Sequence, residues 1–204
     1  MNSERSWWEK TVEYRFVLEA ARDGIDLAIP LSGVEERAGD GIFAKNSRLI
    51  LVEFKRSKND LNTEIEKFED YRNAKAILGS FDDHHLLIYG SCSSEDKHDR
   101  LEINATTYFS RTELKNTIRE LLDRGVTSER FNTYLDHLLD FKKRDKRSSG
   151  SVGPETMQSV IGISANGSVA SIALSDYCRQ SLLLNHTPPA PAPDTSYEPM
   201  SPSF

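Results

Sequence analysis

The sequence predicts an α/β domain in which a mixed central β-sheet is flanked by helices on both faces. Three observations lead to this class: helical periodicity near the start of the chain, two adjacent strand-like runs, and a second helical pattern before another apolar run. The two strand-like runs are apolar on both of their faces, and such strands belong to a sheet that is covered on both sides.

The first elements are a helix and three strands. Apolar residues share one face over residues 7–21, which predicts a helix that Asp23-Gly24 ends. Residues 25–31 read as extended, and Pro30 favours an edge or a strand end. Two further strands, 40–45 and 48–56, flank Asn46-Ser47, which is typical of a tight turn.

Helices and strands then alternate. A helix is expected over 61–78, with Leu61, Ile65 and Phe68 on one side, followed by strands at 84–89 and 101–109. Residues 110–113 fit a capping box, which would open a helix that Gly125 closes. Thr127 is expected to cap a last amphipathic helix, and residues 142–147 then read as its solvated, basic end.

Composition divides the chain. Residues 1–147 form the predicted domain, with its last helices as a C-terminal extension, and 148–158 read as a linker. Residues 159–184 are expected to hold a β-hairpin appendage about Asn166-Gly167. The tail, 185–204, contains six of the eight prolines and is expected to be flexible and disordered.

Charge and hydropathy restrict the function classes. The net charge of −6 argues against a protein that coats nucleic acid by bulk electrostatics, although it leaves room for a local basic groove. No apolar run approaches the eighteen or so residues that a membrane span needs, so no membrane partner is expected. The N-terminus lacks a signal-peptide pattern, and the isolated Cys92 and Cys178 read as reduced thiols. These features predict a cytoplasmic protein.

The hairpin about Asn46-Ser47 gathers the residues that carry chemistry. With a two-residue loop, Lys45 faces Arg48, Phe43 faces Ile50, and Asp40 faces Glu53. Directly opposed residues have Cβ atoms about 4.5–5.5 Å apart on one face. Lys55 projects from the same face because it lies two residues beyond Glu53.

This cluster predicts a divalent cation site. Carboxylates at the end of a buried sheet are costly unless they are paired or bind a metal. Their hard oxygen atoms suit Mg²⁺ or Mn²⁺. A cation held by Asp40 and Glu53 would acidify water and polarise a phosphate, while Lys55 would stabilise the developing negative charge.

The pattern D-x₁₂-E-F-K, formed by Asp40, Glu53 and Lys55 after an apolar strand, resembles the PD-(D/E)XK motif of restriction endonucleases and related repair exonucleases. The order of elements over residues 7–89 also resembles that family, although Gly39 stands where the name-giving proline would be. The resemblance implies a restriction-endonuclease-like core and a metal-dependent hydrolase acting on phosphodiester bonds, with DNA as the expected substrate.

The resemblance also implies further site residues. The family often places another acidic ligand on the first helix, where Glu13 is the best candidate and Glu9 and Glu19 are weaker ones. Lys67 and Tyr71 could contribute polar groups from the helix that follows the motif. The residues expected to contact nucleic acid are Arg56, Lys58 and Lys67.

Two other function classes stay open on the sequence. One is a catalytically inactive protein of the same fold that binds nucleic acid. The other is a protein-interaction module, for which the proline-rich tail is the support. A homodimer or a protein partner bound through the C-terminal segment would fit either class.

Overall fold

The computed structural model describes residues 7–31, 37–95, 98–142, 160–163 and 168–172. It is an α/β structure built on one mixed, open sheet of eight strands in the order β6-β5-β4-β3-β2-β1-β7-β8. The strands are β1 (Leu27–Pro30), β2 (Gly41–Lys45), β3 (Arg48–Lys55), β4 (His85–Glu95), β5 (His98–Thr107), β6 (Glu113–Leu114), β7 (Val160–Ile163) and β8 (Val169–Ile172). The helices are α1 (Glu9–Arg22), α2 (Tyr71–Leu78), α3 (Ile118–Leu122) and α4 (Ser128–Phe141), with 3₁₀ helices at Lys58–Lys67 and Asp82–His84.

The hairpin of β2 and β3 has the predicted register. Lys45 pairs with Arg48, Phe43 with Ile50 and Gly41 with Val52. Asn46 and Ser47 both have positive φ angles, 52° and 60°, which a type I′ turn between right-twisted strands requires. The turn therefore fixes which side chains of β2 and β3 share a face.

The strand pair β3–β4 is parallel, whereas the other neighbouring strands are antiparallel. A parallel pair needs a long crossover, and here the chain passes through the 3₁₀ helix Lys58–Lys67 and α2 before it enters β4. This crossover brings the 3₁₀ helix over the end of β3.

Two apolar cores lie on the opposite faces of the sheet. Phe43, Val52 and Phe54 pack with α1 and α3 on one face. Ile42, Ala44 and Leu51 pack with the 3₁₀ helix, α2 and α4 on the other. Each face of the hairpin is thus buried against helices, as its apolar residues on both sides predict.

Two predicted helices differ from the observed ones. The predicted helix at 61–78 is wrong over its first half, where the chain forms a 3₁₀ helix and Ile65 is 42% exposed. The predicted capping box at 110–113 is also wrong, because Glu113–Leu114 forms β6. The capping box belongs instead to Thr117 and Glu120, which begin α3 seven residues after the predicted box.

The C-terminal strands extend the central sheet. β7 pairs with β8, as expected for a hairpin, and β7 also pairs with β1. The turn Asn166-Gly167, the linker 148–158 and the tail 185–204 lie outside the described residues. Over the described residues, the helices are all too short or too polar to cross a bilayer.

Candidate active site

The end of the β2–β3 hairpin holds Asp40 against β3. The backbone N–H of Asp40 donates to Val52 O at 2.9 Å, and its carboxylate Oδ2 accepts from Phe54 N at 2.6 Å. These two contacts lie on either side of Glu53 in the chain. Asp40 is therefore anchored next to Glu53 and remains partly exposed to solvent.

Glu53 and Lys55 are buried on β3, at 1% and 6% exposure. Lys55 Nζ lies 2.8 Å from Glu53 Oε1, and the negative charge of Asp40 interacts with that of Glu53. The structure thus brings together the three residues that the sequence singles out.

A third carboxylate, Glu64, comes from the 3₁₀ helix Lys58–Lys67. Residues three apart eclipse one another in a 3₁₀ helix, so Leu61, Glu64 and Lys67 share the side that faces the sheet. Glu64 is fully buried, and its Oε1 lies 2.8 Å from Lys55 Nζ. The sequence did not indicate Glu64, because an α-helical period places Ile65 rather than Glu64 on the buried side with Leu61.

Lys67 contacts the same carboxylates and is the more exposed of the two lysines. Its Nζ contacts Glu53 Oε1 and lies 2.9 Å from Glu64 Oε1. Glu53 and Glu64 therefore each contact both lysines, Lys55 and Lys67, and these four side chains form one charge cluster.

Lys142 approaches the same cluster from the end of α4. It is 2% exposed, and its Nζ lies 5.6 Å and 5.4 Å from the ring centroids of Phe68 and Tyr108. An isolated antiparallel β-bridge between the backbones of Phe68 and Lys142 holds the end of α4 against the end of the 3₁₀ helix. The prediction of a solvated basic end is therefore wrong for Lys142.

Burial and mutual repulsion set the state of the two hairpin carboxylates. Burial raises the pKa of Asp40, against the opposing effects of the Phe54 hydrogen bond and the Lys55 charge. Burial also raises the pKa of Glu53, and the charges of Glu64 and Asp40 add to the shift. Both groups would be easier to protonate than ordinary carboxyls unless a cation joins them.

The charges from the helices act in the opposite direction on Glu64. Burial alone would raise its pKa, but Lys142, Lys67 and Lys55 outweigh burial and lower it overall. Tyr108 Oη also donates to Glu64 Oε2 at 2.6 Å. For Lys55, burial opposes the charged form, yet Glu53 and Glu64 raise its pKa overall. Both pKa shifts favour the charged forms, the cation at Lys55 and the anion at Glu64.

The predicted ligand from the first helix, Glu13, has another partner. Its carboxylate lies 2.6 Å from Lys10 Nζ, and Glu19 pairs with Arg15. Glu9 instead interacts with the cluster: partial desolvation raises its pKa, and the charges of Lys55 and Glu53 also act on it. Glu9, a weaker candidate on the sequence, therefore has a charge that interacts with the hairpin site.

Each of the residues expected to contact nucleic acid forms an ion pair with a carboxylate. Arg56 pairs with Asp60 at 3.1 Å and Lys58 pairs with Glu113, and both basic side chains are more than half exposed. Lys67 is less exposed and belongs to the charge cluster. Tyr71, the other polar candidate from the sequence, is partly buried against Phe68 and Phe109.

The donor atoms at the hairpin fit a magnesium ion bound through two carboxylates. Glu53 Oε2 is buried and has no hydrogen-bond partner among the described residues. An orphaned carboxylate oxygen beside Asp40 is a hard ligand of the kind that Mg²⁺ takes one or two of, with water completing its shell. No group of three or more His, Cys, Asp or Glu side chains poised to hold a metal occurs in the part of the chain that the structure describes.

No protein-family model, curated protein or solved structure matches this chain.

Proposed function

We propose that this chain is a Mg²⁺-dependent nuclease that hydrolyses phosphodiester bonds in DNA, with Asp40, Glu53 and Lys55 as its catalytic residues. One observation carries the proposal. Glu53 keeps a buried carboxylate oxygen, Oε2, that has no hydrogen-bond partner among the described residues, while its Oε1 contacts the ammonium of Lys55 and its charge interacts with that of Asp40. Two carboxylates and a lysine in contact are the inventory that metal-assisted phosphodiester hydrolysis needs.

The arrangement of elements supports the restriction-endonuclease-like core that the sequence motif implies. A helix, α1, precedes the antiparallel strands β1, β2 and β3, and a helical crossover then leads to β4, parallel to β3. The candidate residues lie where β2 begins and β3 ends. Fold likeness alone does not establish activity, so the proposal rests on the site.

Each residue has a defined role in the proposed reaction. Asp40 and Glu53 hold Mg²⁺ or Mn²⁺, and the Phe54 N–H fixes the orientation of the Asp40 carboxylate. A divalent cation bound there supplies a Lewis acid that polarises the phosphate and acidifies a water molecule. Lys55, held as a cation by Glu53 and Glu64, orients the water and stabilises the charge that develops on the phosphate. No protein nucleophile and no covalent intermediate are required.

The test removes the charge of Asp40 and keeps the hydrogen bond that anchors its side chain. Asp40→Asn keeps an oxygen that can accept from Phe54 N but removes the negative charge. We expect this variant to lose Mg²⁺-dependent nicking of plasmid DNA by at least about a hundredfold while it unfolds with a free energy close to that of wild type. Lys55→Gln should retain Mn²⁺ binding in calorimetry and lose turnover.

Lys45 and Asp123 provide the matched controls. They form a 2.6 Å ion pair at the other end of the same hairpin, so Lys45→Gln and Asp123→Asn remove equivalent charges away from the site. Both controls should nick plasmid at the wild-type rate. Nicking by wild type that persists in EDTA, or equal nicking by Asp40→Asn and wild type, would contradict the proposed mechanism.

A second candidate function has an observation in its favour. The carboxylates of Glu53 and Glu64 are already compensated by Lys55 and Lys67. A closed ion-pair network of this kind can be structural, as in a catalytically inactive protein of the same fold that binds nucleic acid. Wild type that binds DNA, binds no Mn²⁺ and does not nick plasmid would favour this candidate.

A further inference from the structure

Glu53 presents a free oxygen that solvent does not reach. Its Oε1 contacts the ammonium groups of Lys55 and Lys67, whereas its Oε2 is buried and has no hydrogen-bond partner among the described residues. A cation can therefore reach Glu53 only after a neighbouring group moves.

Of the two lysines that contact Glu53, Lys67 is the more exposed to solvent, so its side chain can move. Its side chain is 40% exposed, against 8% for Lys55. It is also the last residue of the 3₁₀ helix, and the carboxylates of Glu53 and Glu64 are its only ion-pair partners in the described part of the chain. Movement of this side chain into water breaks its ion pairs with Glu53 and Glu64.

We propose that Lys67 is a positioning residue that occupies Glu53 in the free protein and moves to a phosphate of the bound nucleic acid, so that cation binding and nucleic-acid binding strengthen each other. This inference rests on the proposed function and adds a regulatory property to the same site. A phosphate oxygen is a natural new partner for an ammonium that leaves a carboxylate.

Electrostatics and linkage give the direction of the effect. While Lys67 touches Glu53, its positive charge opposes the approach of a divalent cation to the same carboxylate. A phosphate that draws Lys67 away removes this opposition. Because linkage is reciprocal, a bound cation must then raise the affinity for nucleic acid by the same factor.

The experiment measures Mn²⁺ affinity of the full chain by calorimetry, with no nucleic acid present. Lys67→Gln should bind Mn²⁺ more tightly than wild type by a factor on the order of ten. Lys67→Arg, which keeps the charge, should bind as wild type does. Lys45→Gln is the matched control, because Lys45 is also an ion-paired lysine but its partner is Asp123, at the other end of the hairpin.

A second titration adds a duplex whose phosphates are replaced by hydrolysis-resistant phosphorothioates. The duplex should tighten Mn²⁺ binding to wild type and to Lys45→Gln, and should leave the affinity of Lys67→Gln nearly unchanged. If Lys67→Gln does not fold, Lys67→Met carries the same comparison.

The outcomes separate this inference from the proposed function. Wild type that nicks plasmid and binds Mn²⁺ with the same affinity as Lys67→Gln overturns the role of Lys67 and leaves the nuclease in place. Wild type and Lys67→Gln that both bind no Mn²⁺, with no nicking, overturn the nuclease proposal and this inference together. Looser Mn²⁺ binding by Lys67→Gln also overturns the inference.

Discussion

The ammonium group of Lys142 is buried and has few hydrogen-bond acceptors around it among the described residues. An ammonium offers three donors, but in the described residues Lys142 Nζ has one hydrogen bond, 3.4 Å long, to Ala38 O. The rings of Phe68 and Tyr108 supply cation–π contacts in place of further acceptors. Burial therefore lowers the pKa of Lys142 to about 8, although Glu53 and Glu64 act in the opposite direction.

This shift predicts that stability rises with pH in the alkaline range. The pKa of Lys142 is about 8 in the folded protein and 10.5 for an ordinary lysine, so between these values the unfolded chain binds more protons. Relative to Lys142→Met, wild type should gain on the order of 3 kcal/mol of unfolding free energy as the pH rises from about 7 to about 10.5.

Denaturant titrations at several pH values provide the measurement. The control is Lys75→Met, which removes an exposed lysine from α2 and should show the pH dependence of wild type. The prediction fails if the unfolding free energies of wild type and Lys142→Met change in parallel from neutral to alkaline pH. Burial would then not disfavour the protonated form of Lys142.

The residues of the site were predictable to different degrees. Asp40, Glu53 and Lys55 followed from the sequence because a tight turn sets the register of β2 and β3 over a short stretch of chain. Lys142 did not, because its burial depends on the contact of α4 with the 3₁₀ helix, about 75 residues away in the chain. The residue pattern of a short segment does not predict a contact between elements that are far apart in the chain.

The 3₁₀ helix Lys58–Lys67 shows the same limit for an element. A ten-residue run of this helix type is uncommon, so the α-helical period was the natural expectation. Burial follows a spacing of three, with Leu61 and Glu64 inside and Ile65 outside. Leu61, Glu64 and Lys67 recur at a spacing of three, which the 3₁₀ period aligns on one side of the helix.

Paired alanine substitutions test this geometry. Leu61 is 6% exposed and belongs to the core under the sheet, so Leu61→Ala should lower the free energy of unfolding by about 2–5 kcal/mol. Ile65 is 42% exposed, and Ile65→Ala should cost less than about 1 kcal/mol. Urea unfolding gives both values. Equal losses, or a larger loss at Ile65, would indicate an α-helical arrangement of this segment.

For the whole molecule, the sheet continues past β1 into the C-terminal hairpin. β7 pairs with β1 through Gly162 and Ile161, yet Ile161 and Val169 are 37% and 67% exposed. The hairpin thus adds backbone hydrogen bonds to the edge of the sheet and buries little apolar surface. The sequence predicted the two strands but not their attachment to β1, which again depends on a distant contact.

Truncation after Lys146 tests how far the domain depends on these strands. We expect the truncated chain to unfold in one cooperative transition at a moderately lower temperature, because both apolar cores consist almost entirely of residues before 142. Thermal unfolding followed by circular dichroism is the measurement. A truncated chain without a cooperative transition would show that β7 completes the fold.

The short hairpin that holds Asp40 and Glu53 also bears on the order in which the chain folds. Its contacts span about a dozen residues, whereas Lys142 meets Ala38 across 104 positions. Contacts between near neighbours close first, because little chain entropy is lost in forming them. The two carboxylates therefore meet while they are still in water, where their repulsion is weak. The two elements that cover them, the 3₁₀ helix and α4, also carry Lys67 and bring in Lys142, so we expect each step that dehydrates the acidic pair to supply a cation as well.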